Sequence, residues 1–263
     1  MSKIKVVISG ISGKMGQESL KAVHAQSDME VIGGTCKSPQ NPILTIPGSS
    51  IKIPATADLE TIISEADVLL DFTNSEVAIQ AIRIAANHKV PIVTGSTGFN
   101  AEMVKEIETI SEKNKLGIIV APNFAIGAVL MMHLAKTAGQ FFEFADLIES
   151  HHEQKLDSPS GTAISIAKAA LENRSSGFTS VQSQKELIEG SRGGNLDGVN
   201  IHSSRIPGRV AHHELTFGTI GQTFTIKHDS INRESFMPGV IMAIKHVLEQ
   251  PKLIWGLEKV MGL

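Results

Sequence analysis

The sequence predicts an α/β protein in which a doubly wound parallel sheet is followed by a second, α+β lobe with a mostly antiparallel sheet. Three observations carry that reading. β-Branched runs alternate with helical patterns through the first half of the chain, a glycine-rich turn joins the first run to the first helix, and after about Asn123 the alternation gives way to period-2 segments.

The first run, residues 4 to 9 (Ile-Lys-Val-Val-Ile-Ser), is bounded by Gly10 and reads as a buried strand leading to a helix that starts near Met15. Similar runs recur at Glu30 to Gly33, Val68 to Phe72, Pro91 to Thr94 and Gly117 to Val120, and helical spacing fills Ser75 to Asn87 and Ala101 to Asn114. Such alternation is the pattern of βαβ units. In the second half, helices are expected at Ala128 to Ala138 and Thr162 to Leu171. Strands are expected at Phe144 to Glu149, Ile201 to Ile206, His213 to Phe217 and Thr223 to His228, and Gly218 and Gly221 suit a hairpin between the last two. The Ser- and Gly-rich segment Ser175 to Asn200 reads as a mobile loop. A closing helix, Gly239 to Glu249, is expected to pack back on the first domain. The implied division is 1–124 with 238–263 for one domain and 125–237 for the other.

Composition narrows the function. With 263 residues, 41% of them hydrophobic, the chain can build real cores, and 19% charged residues with a net charge of −3 and no basic block point away from nucleic acid and anionic membranes. The single cysteine, Cys36, cannot form an intramolecular disulfide, and no Cys/His cluster stands at metal-ligand spacing, so no metal is expected. The first residues enter a strand without the apolar stretch of a secretory signal. Runs such as Ala125 to Leu134 are shorter than the roughly 20 residues that span a bilayer. A cytoplasmic protein with a small-molecule ligand is the expectation.

Gly10-Ile11-Ser12-Gly13-Lys14-Met15-Gly16 is a GxxGxxG turn between strand and helix, where backbone N–H groups can approach a pyrophosphate at the helix N-terminus. A plain glycine loop is the alternative. NAD enzymes usually place an acidic residue about 20 residues further on, at the end of the second strand, to bind the ribose. Here that turn reads Gly34-Thr35-Cys36-Lys37-Ser38; it has no carboxylate, and Lys37 offers positive charge to a 2′-phosphate, with Lys14 able to add a second. Lys37 can equally be a solvated surface lysine. Asp71-Phe72-Thr73 and Gly95-Ser96-Thr97-Gly98-Phe99 also fall at carboxyl ends of strands, where ligands bind in such sheets. Gly95 and Gly98 permit close approach, Thr97 supplies a hydroxyl and Phe72 can pack on cofactor rings. For Phe72 or Phe99 taken alone, core packing is the simpler role.

Residues 149 to 163 read Glu-Ser-His-His-Glu-Gln-Lys-Leu-Asp-Ser-Pro-Ser-Gly-Thr-Ala. Adjacent histidines, a lysine four residues after the first and a Ser-Gly-Thr turn entering a helix form one compact group. Imidazole and ammonium can supply protons near neutral pH, and the Gly161 and Thr162 amides at a helix N-terminus can hold a carboxylate. Two strand-end histidines without a catalytic task are the bland alternative. Arg205, Arg233, His212, His213 and His228 have no comparable local pattern.

Taken in order, Gly10-x-x-Gly13-x-Met15-Gly16, Asp71-Phe72-Thr73, Gly95-Ser96-Thr97-Gly98-Phe99, Ala121-Pro122-Asn123-Phe124 and His151-His152-x-x-Lys155-x-Asp157-x-Pro159-Ser160-Gly161-Thr162 resemble the dihydrodipicolinate reductase family over essentially the whole chain. The resemblance implies a Rossmann-type dinucleotide-binding domain, a substrate-binding lobe that also builds a homotetramer, and reduction of a small dicarboxylate with NADPH or NADH in lysine and diaminopimelate synthesis. It makes His151 and Lys155 the acid/base pair and His152, Gly161 and Thr162 substrate contacts. It places Gly10 to Met15, Gly95, Ser96, Thr97 and Ala121 to Phe124 around the cofactor, and makes Arg233 a weak candidate for a substrate carboxylate. The chain departs from the commonest pattern at Lys37, where an acidic residue is often found, and at Asn74, where some members carry arginine. NADPH use is therefore expected at least as readily as NADH use. A non-catalytic NADP sensor, or a reductase of a sugar or amino acid, are the rival readings.

Overall fold

The computed structural model describes residues 2–38, 42–181 and 183–263. The chain divides into two compact units, Met1–Ile126 with Arg233–Leu263, and Gly127–Asn232. The elements run β1 (Ile4–Ser9), α1 (Lys14–His24), β2 (Met29–Thr35), β3 (Ile43–Thr45), β4 (Lys52–Thr56), β5 (Val68–Asp71), α2 (Ser75–Asn87), β6 (Ile92–Thr94), α3 (Ala101–Asn114), β7 (Ile118–Val120), α4 (Ile126–Ala138), β8 (Phe144–His151), α5 (Gly161–Glu172), β9 (Gly194–Leu196), β10 (Val199–Arg205), β11 (Ala211–Thr219), β12 (Gln222–Ser230), α6 (Met237–Glu249), β13 (Leu253–Trp255) and α7 (Leu257–Met261).

In the first unit the strands order as β13-β7-β6-β5-β1-β2-β4-β3, parallel throughout except for the β3–β4 pair. Helices cover the sheet, so its central strands are apolar on both faces: Val6, Val7 and Ile8 of β1 and Val68, Leu69 and Leu70 of β5 are fully buried. α2 presents Ile79, Ile82, Ala85 and Ala86 to this core, a stripe along one face at the spacing a helix requires. Its N-cap is Asn74, whose Oδ1 accepts from the Val77 amide at 3.0 Å, and Asn100 caps α3 in the same way on Met103 at 2.9 Å. Asn74 therefore has a local task that arginine could not perform, and a side-chain cap of this kind contributes about 1 kcal/mol.

The second unit carries a five-stranded sheet, β12-β11-β8-β10-β9, in which β8 and β10 are parallel and the other pairs antiparallel. α5 and the buried side of α4 pack Met131, Ala135, Ala163, Ile166 and Ala167 against Leu147, Ile201, Leu215 and Phe217.

Several boundaries differ from those the sequence predicts. β3, β4 and β13 are three to five residues long and lie beside Pro42, Pro54 and Pro251, too short for periodicity to register. β5 stops at Asp71, so Phe72 belongs to the turn. β8 runs on to His151, and β10 spans Val199–Arg205, two residues earlier than expected at its start. The β11–β12 hairpin turns at Ile220 and Gly221, the latter at φ +78°, while Gly218 pairs with Thr223 inside the ladder. The loop expected at Ser175 to Asn200 contains β9 and the start of β10, and its first residues are anchored. The Arg174 guanidinium donates to the carbonyls of Gly139, Phe142 and Gly177 and lies over the Phe178 ring at 3.9 Å. Gln182 of that segment lies outside the described residues. α6 begins at Met237 with Pro238 in its first turn and packs on α1 and on the β5, β6 and β7 strands of its own unit.

Candidate active site

The glycine turn of the first unit is shaped from within. Gly10 sits at φ +78°, and a Cβ there would lie 2.7 Å from the Phe72 carbonyl oxygen, so only glycine fits. Its amide and that of Ile11 both donate to Thr35 O at 3.0 Å, and the Gly13 amide donates to Gly10 O at 2.9 Å. Ile11 is fully buried. Gly10 and Ile11 anchor the turn to β2, while Ser12, Gly13 and Lys14 are exposed at its rim. α1 starts on Gly13 as N-cap without any side-chain cap and without an acidic residue in its first turn. The Lys14, Met15 and Gly16 amides thus end a helix whose orphan N–H groups have no intrahelical acceptor, and an anion suits them.

The neighbouring turns are organised by Asp71, which the sequence reading named only as part of a motif. Asp71 is 1% exposed; its Oδ1 accepts from Thr73 Oγ1 at 2.6 Å, and its Oδ2 accepts from Thr94 Oγ1 and Ser96 Oγ at 2.7 Å each. Those hydroxyls accept in turn: Ser96 N donates to Thr94 Oγ1 at 3.0 Å and Thr73 N to Ser96 Oγ at 3.1 Å. Ser96 is consequently occupied inside the protein, and Thr97 and Gly98 are the exposed members of its loop. A Cβ on Gly95 would collide with the Phe72 ring, so this glycine makes room for an aromatic side chain. Phe72 packs edge-on against Phe124 at 5.6 Å, and Phe99 against Trp255 at 6.3 Å. Ala121 and Phe124 are buried, Pro122 is exposed, and Asn123 accepts from the Ala125 amide at 2.9 Å. Lys37 lies exposed just beyond β2. Cationic, hydroxyl-bearing and uncapped-helix groups all sit at the carboxyl end of this sheet, a donor set that fits a dinucleotide.

In the second unit β8 alternates with its inward face reading Ala145, Leu147, Glu149 and His151. Glu149 is completely buried, and donors from several residues converge on it. Arg205 Nη1 and Nη2 grip it in a fork at 3.0 and 2.8 Å, the Ser160 amide reaches it at 3.3 Å, and His151 Nδ1 donates to Oε2. Burial raises the pKa of this carboxyl, but hydrogen bonds from Arg205, Ser203 and His151 outweigh it and hold the value below the usual range. Burial is also the main reason His151 falls below an ordinary histidine; Glu149 opposes that shift and Lys155 and Arg205 reinforce it. His213, opposite Glu149 on β11, meets the His151 ring edge-on at 5.4 Å, and burial lowers it to about 4. Its Nε2 lies 3.3 Å from Ser160 Oγ, which also caps α5 by accepting from Ala163 N.

Lys155 Nζ donates to Asp157 Oδ1 at 2.7 Å, and the Asp157 carboxylate is held low first by that bond and also by the Gly161 amide. The ammonium expected to be the proton donor and the helix-end amide expected to hold the substrate thus converge on one carboxylate of the protein itself. His152 and Gly161 are exposed, Thr162 half-buried. Arg205 Nη2 also donates to Asp157 O at 2.7 Å, tying the Lys155 loop to the sheet. Glu149 and Arg205 escaped the sequence reading; the available signal was a glutamate in phase with Ala145, Leu147 and His151 on an inward face.

Comparison with known proteins settles the family. The dihydrodipicolinate reductase N-terminus model matches residues 4–124 and the C-terminus model residues 127–261. The chain belongs to the dihydrodipicolinate reductase family. Within that family it is 45% identical over 265 residues to the 4-hydroxy-tetrahydrodipicolinate reductase of Dehalococcoides mccartyi, covering all of both chains. It is 40% identical over 262 residues to that of Listeria welshimeri, covering 98% of this chain and all of the other. The solved dipicolinate-bound dihydrodipicolinate reductase from Paenisporosarcina sp. TG-14 superposes with a TM-score of 0.89 at 42% identity, over 98% of this chain and 99% of that one. An amine dehydrogenase from Mycobacterium smegmatis, 13% identical with a TM-score of 0.65 over 94% of this chain and 93% of that one, shares the fold. Members of this reductase family are nicotinamide-dependent oxidoreductases, and so is this chain. Among the described residues no helix is long and apolar enough to cross a membrane.

Proposed function

We propose that the chain reduces 4-hydroxy-tetrahydrodipicolinate to tetrahydrodipicolinate, with NADPH as the preferred reductant, Lys155 as the immediate proton donor and His151 as its partner. The observation that carries the reading is the convergence of Lys155 Nζ and the Gly161 amide on the Asp157 carboxylate beside the buried Glu149–His151 pair. That is a carboxylate-holding group next to a proton-handling one, as a dicarboxylate substrate of a reductase requires.

The nicotinamide group supplies a hydride when bound. Ser12, Gly13 and the first amides of α1 are suited to its pyrophosphate, Lys37 to a 2′-phosphate, and Thr97, Pro122 and Asn123 to the rim of its site. Gly10, Ile11, Gly95, Ser96, Phe72, Ala121 and Phe124 support those contacts from below. In the second unit, the Gly161 and Thr162 amides, with His152, orient a substrate carboxylate. Lys155 gives up a proton as electron density reaches the ring and is left as a neutral amine, and His151 relays a proton back to it. The dinucleotide-binding role belongs to the unit built from both chain ends and the substrate role to the other. The latter's sheet leaves Ile148 50% exposed and its β11–β12 turn leaves Ile220 92% exposed, apolar anchors that support assembly as a homotetramer. A cytoplasmic setting supports the single free cysteine, Cys36.

Loss of reduced-cofactor absorbance in a coupled assay with the preceding synthase tests the reaction. Wild-type protein is expected to turn over with NADPH at least as well as with NADH, and an absence of turnover with both overturns the reading. Lys37→Glu places negative charge where the 2′-phosphate is expected and moves the preference roughly 10-fold toward NADH. An unaltered preference shows that Lys37 does not read the ribose.

A further inference from the structure

We infer that Glu149 is the positioning residue of the proton-transfer segment: its buried carboxylate, clamped by Arg205, fixes which nitrogen of His151 carries the proton and which is presented for chemistry. This rests on the proposed reductase reading and gives a task to the ion pair of the fully buried Glu149 and the partly buried Arg205.

A glutamate with no exposure is costly unless its charge is matched and its lone pairs are filled. Here both conditions hold. The Arg205 fork supplies the matching charge, and the Ser160 amide and His151 Nδ1 fill further acceptor sites. Because an ionised carboxylate can only accept, the proton between them sits on Nδ1. In the neutral ring Nε2 then carries the lone pair, and in the charged ring Nε2–H is the donor.

The groups facing the imidazole come from four places: Glu149 beside it on β8, Arg205 on β10, His213 on β11 and Lys155 on the following loop. Of these, Glu149 alone is anionic. Arg205, Lys155 and burial all disfavour the imidazolium, so Glu149 is the group that keeps the ring able to hold a proton. Arg205 has a second hand on the segment through Asp157 O, 2.7 Å from Nη2. One guanidinium thus couples the position of Glu149 to the loop that carries Lys155.

Glu149→Gln removes the charge and keeps the shape. It is expected to lower kcat roughly 10- to 100-fold, the usual worth of an outer partner that orients a working histidine, with KM within about 2-fold. The limb of the kcat/KM pH profile that reports His151 moves to lower pH, because the one interaction favouring the imidazolium is gone. Glu149→Asp, which keeps the charge, returns that limb toward its wild-type position. Nitrogen NMR of the wild-type ring is expected to show the Nδ1–H tautomer. A Gln variant with a wild-type pH profile, or a wild-type ring protonated at Nε2 when neutral, overturns the inference even if the reductase assay succeeds. Should the Gln variant fail to fold, the Asp variant's pH profile and the wild-type spectrum decide. Failure of wild-type protein to reduce the substrate, with the Nδ1–H tautomer still observed, would break the functional reading and leave the Glu149–His151 arrangement intact.

Discussion

Asp71 in the first unit and Glu149 in the second are both buried carboxylates near the carboxyl end of a strand, 1% and 0% exposed, yet their surroundings are built from different chemistry. Asp71 is ringed by three hydroxyls, which bind the turns after β5 and β6 to one another. Glu149 is held by a guanidinium, an imidazole and an amide, with a single hydroxyl, that of Ser203, beside them. The first arrangement rigidifies loops so that backbone and rim groups are presented to a ligand. The second adjusts the charge state of a side chain that can handle protons. On the proposed reading a dinucleotide is held by fixed geometry, whereas a reduction needs a proton at the right moment, and the two hubs suit those two tasks.

The difference is broken most forcefully at Lys155. Lys155→Ala is expected to lower turnover roughly 10²- to 10⁴-fold with little change in NADPH binding, as removal of a general acid does. Steady-state kinetics and a cofactor titration on one preparation check this, and near wild-type turnover would remove Lys155 from the mechanism.

Asp71→Asn tests the other hub. Thr94 Oγ1 and Ser96 Oγ both donate to Oδ2 and both already accept from amides. An amide NH₂ in that place leaves donors facing donors, at about 1–3 kcal/mol for each hydrogen bond left unmade. A lower melting temperature and weaker cofactor binding are expected, with the pH limb of His151 unmoved. A variant as stable as wild type, binding NADPH equally well, would show that the hydroxyl ring does not organise the loops.

His213 sharpens the contrast through pH. Its folded pKa, lowered chiefly by burial to about 4, lies below the ordinary value near 6.5, so the unfolded chain binds the proton more readily between them. Stability is therefore full above about pH 6.5 and falls as the pH drops toward 4, by up to about 3 kcal/mol. Denaturant unfolding at pH 7, 5 and 4 measures the slope, which is expected to be shallower in His213→Gln. Equal slopes in the two proteins would mean that His213 is not a source of acid sensitivity.

Much of this molecule was legible in its sequence. The spans of α2 and α3, Ser75–Asn87 and Ala101–Asn114, match the helical spacing residue for residue, because each has an asparagine cap and an apolar stripe in phase. The glycine turn and the His151 to Thr162 segment are contiguous, so their chemistry can be read without knowing the fold. What sequence alone left open is what comes together across strands. Arg205 lies 56 residues from Glu149, Thr94 and Ser96 lie 23 and 25 from Asp71, and Ser160 lies 53 from His213. Strand register decided those meetings: β10 places Arg205 beside His151, and β11 places His213 beside Glu149. Local pattern determined which segments could hold a dinucleotide and move a proton, since turns, caps and helix ends depend on neighbours along the chain. Tertiary structure decided which charges were buried together, because the charge that matches the buried Glu149 belongs to Arg205, which the fold brings from 56 residues away.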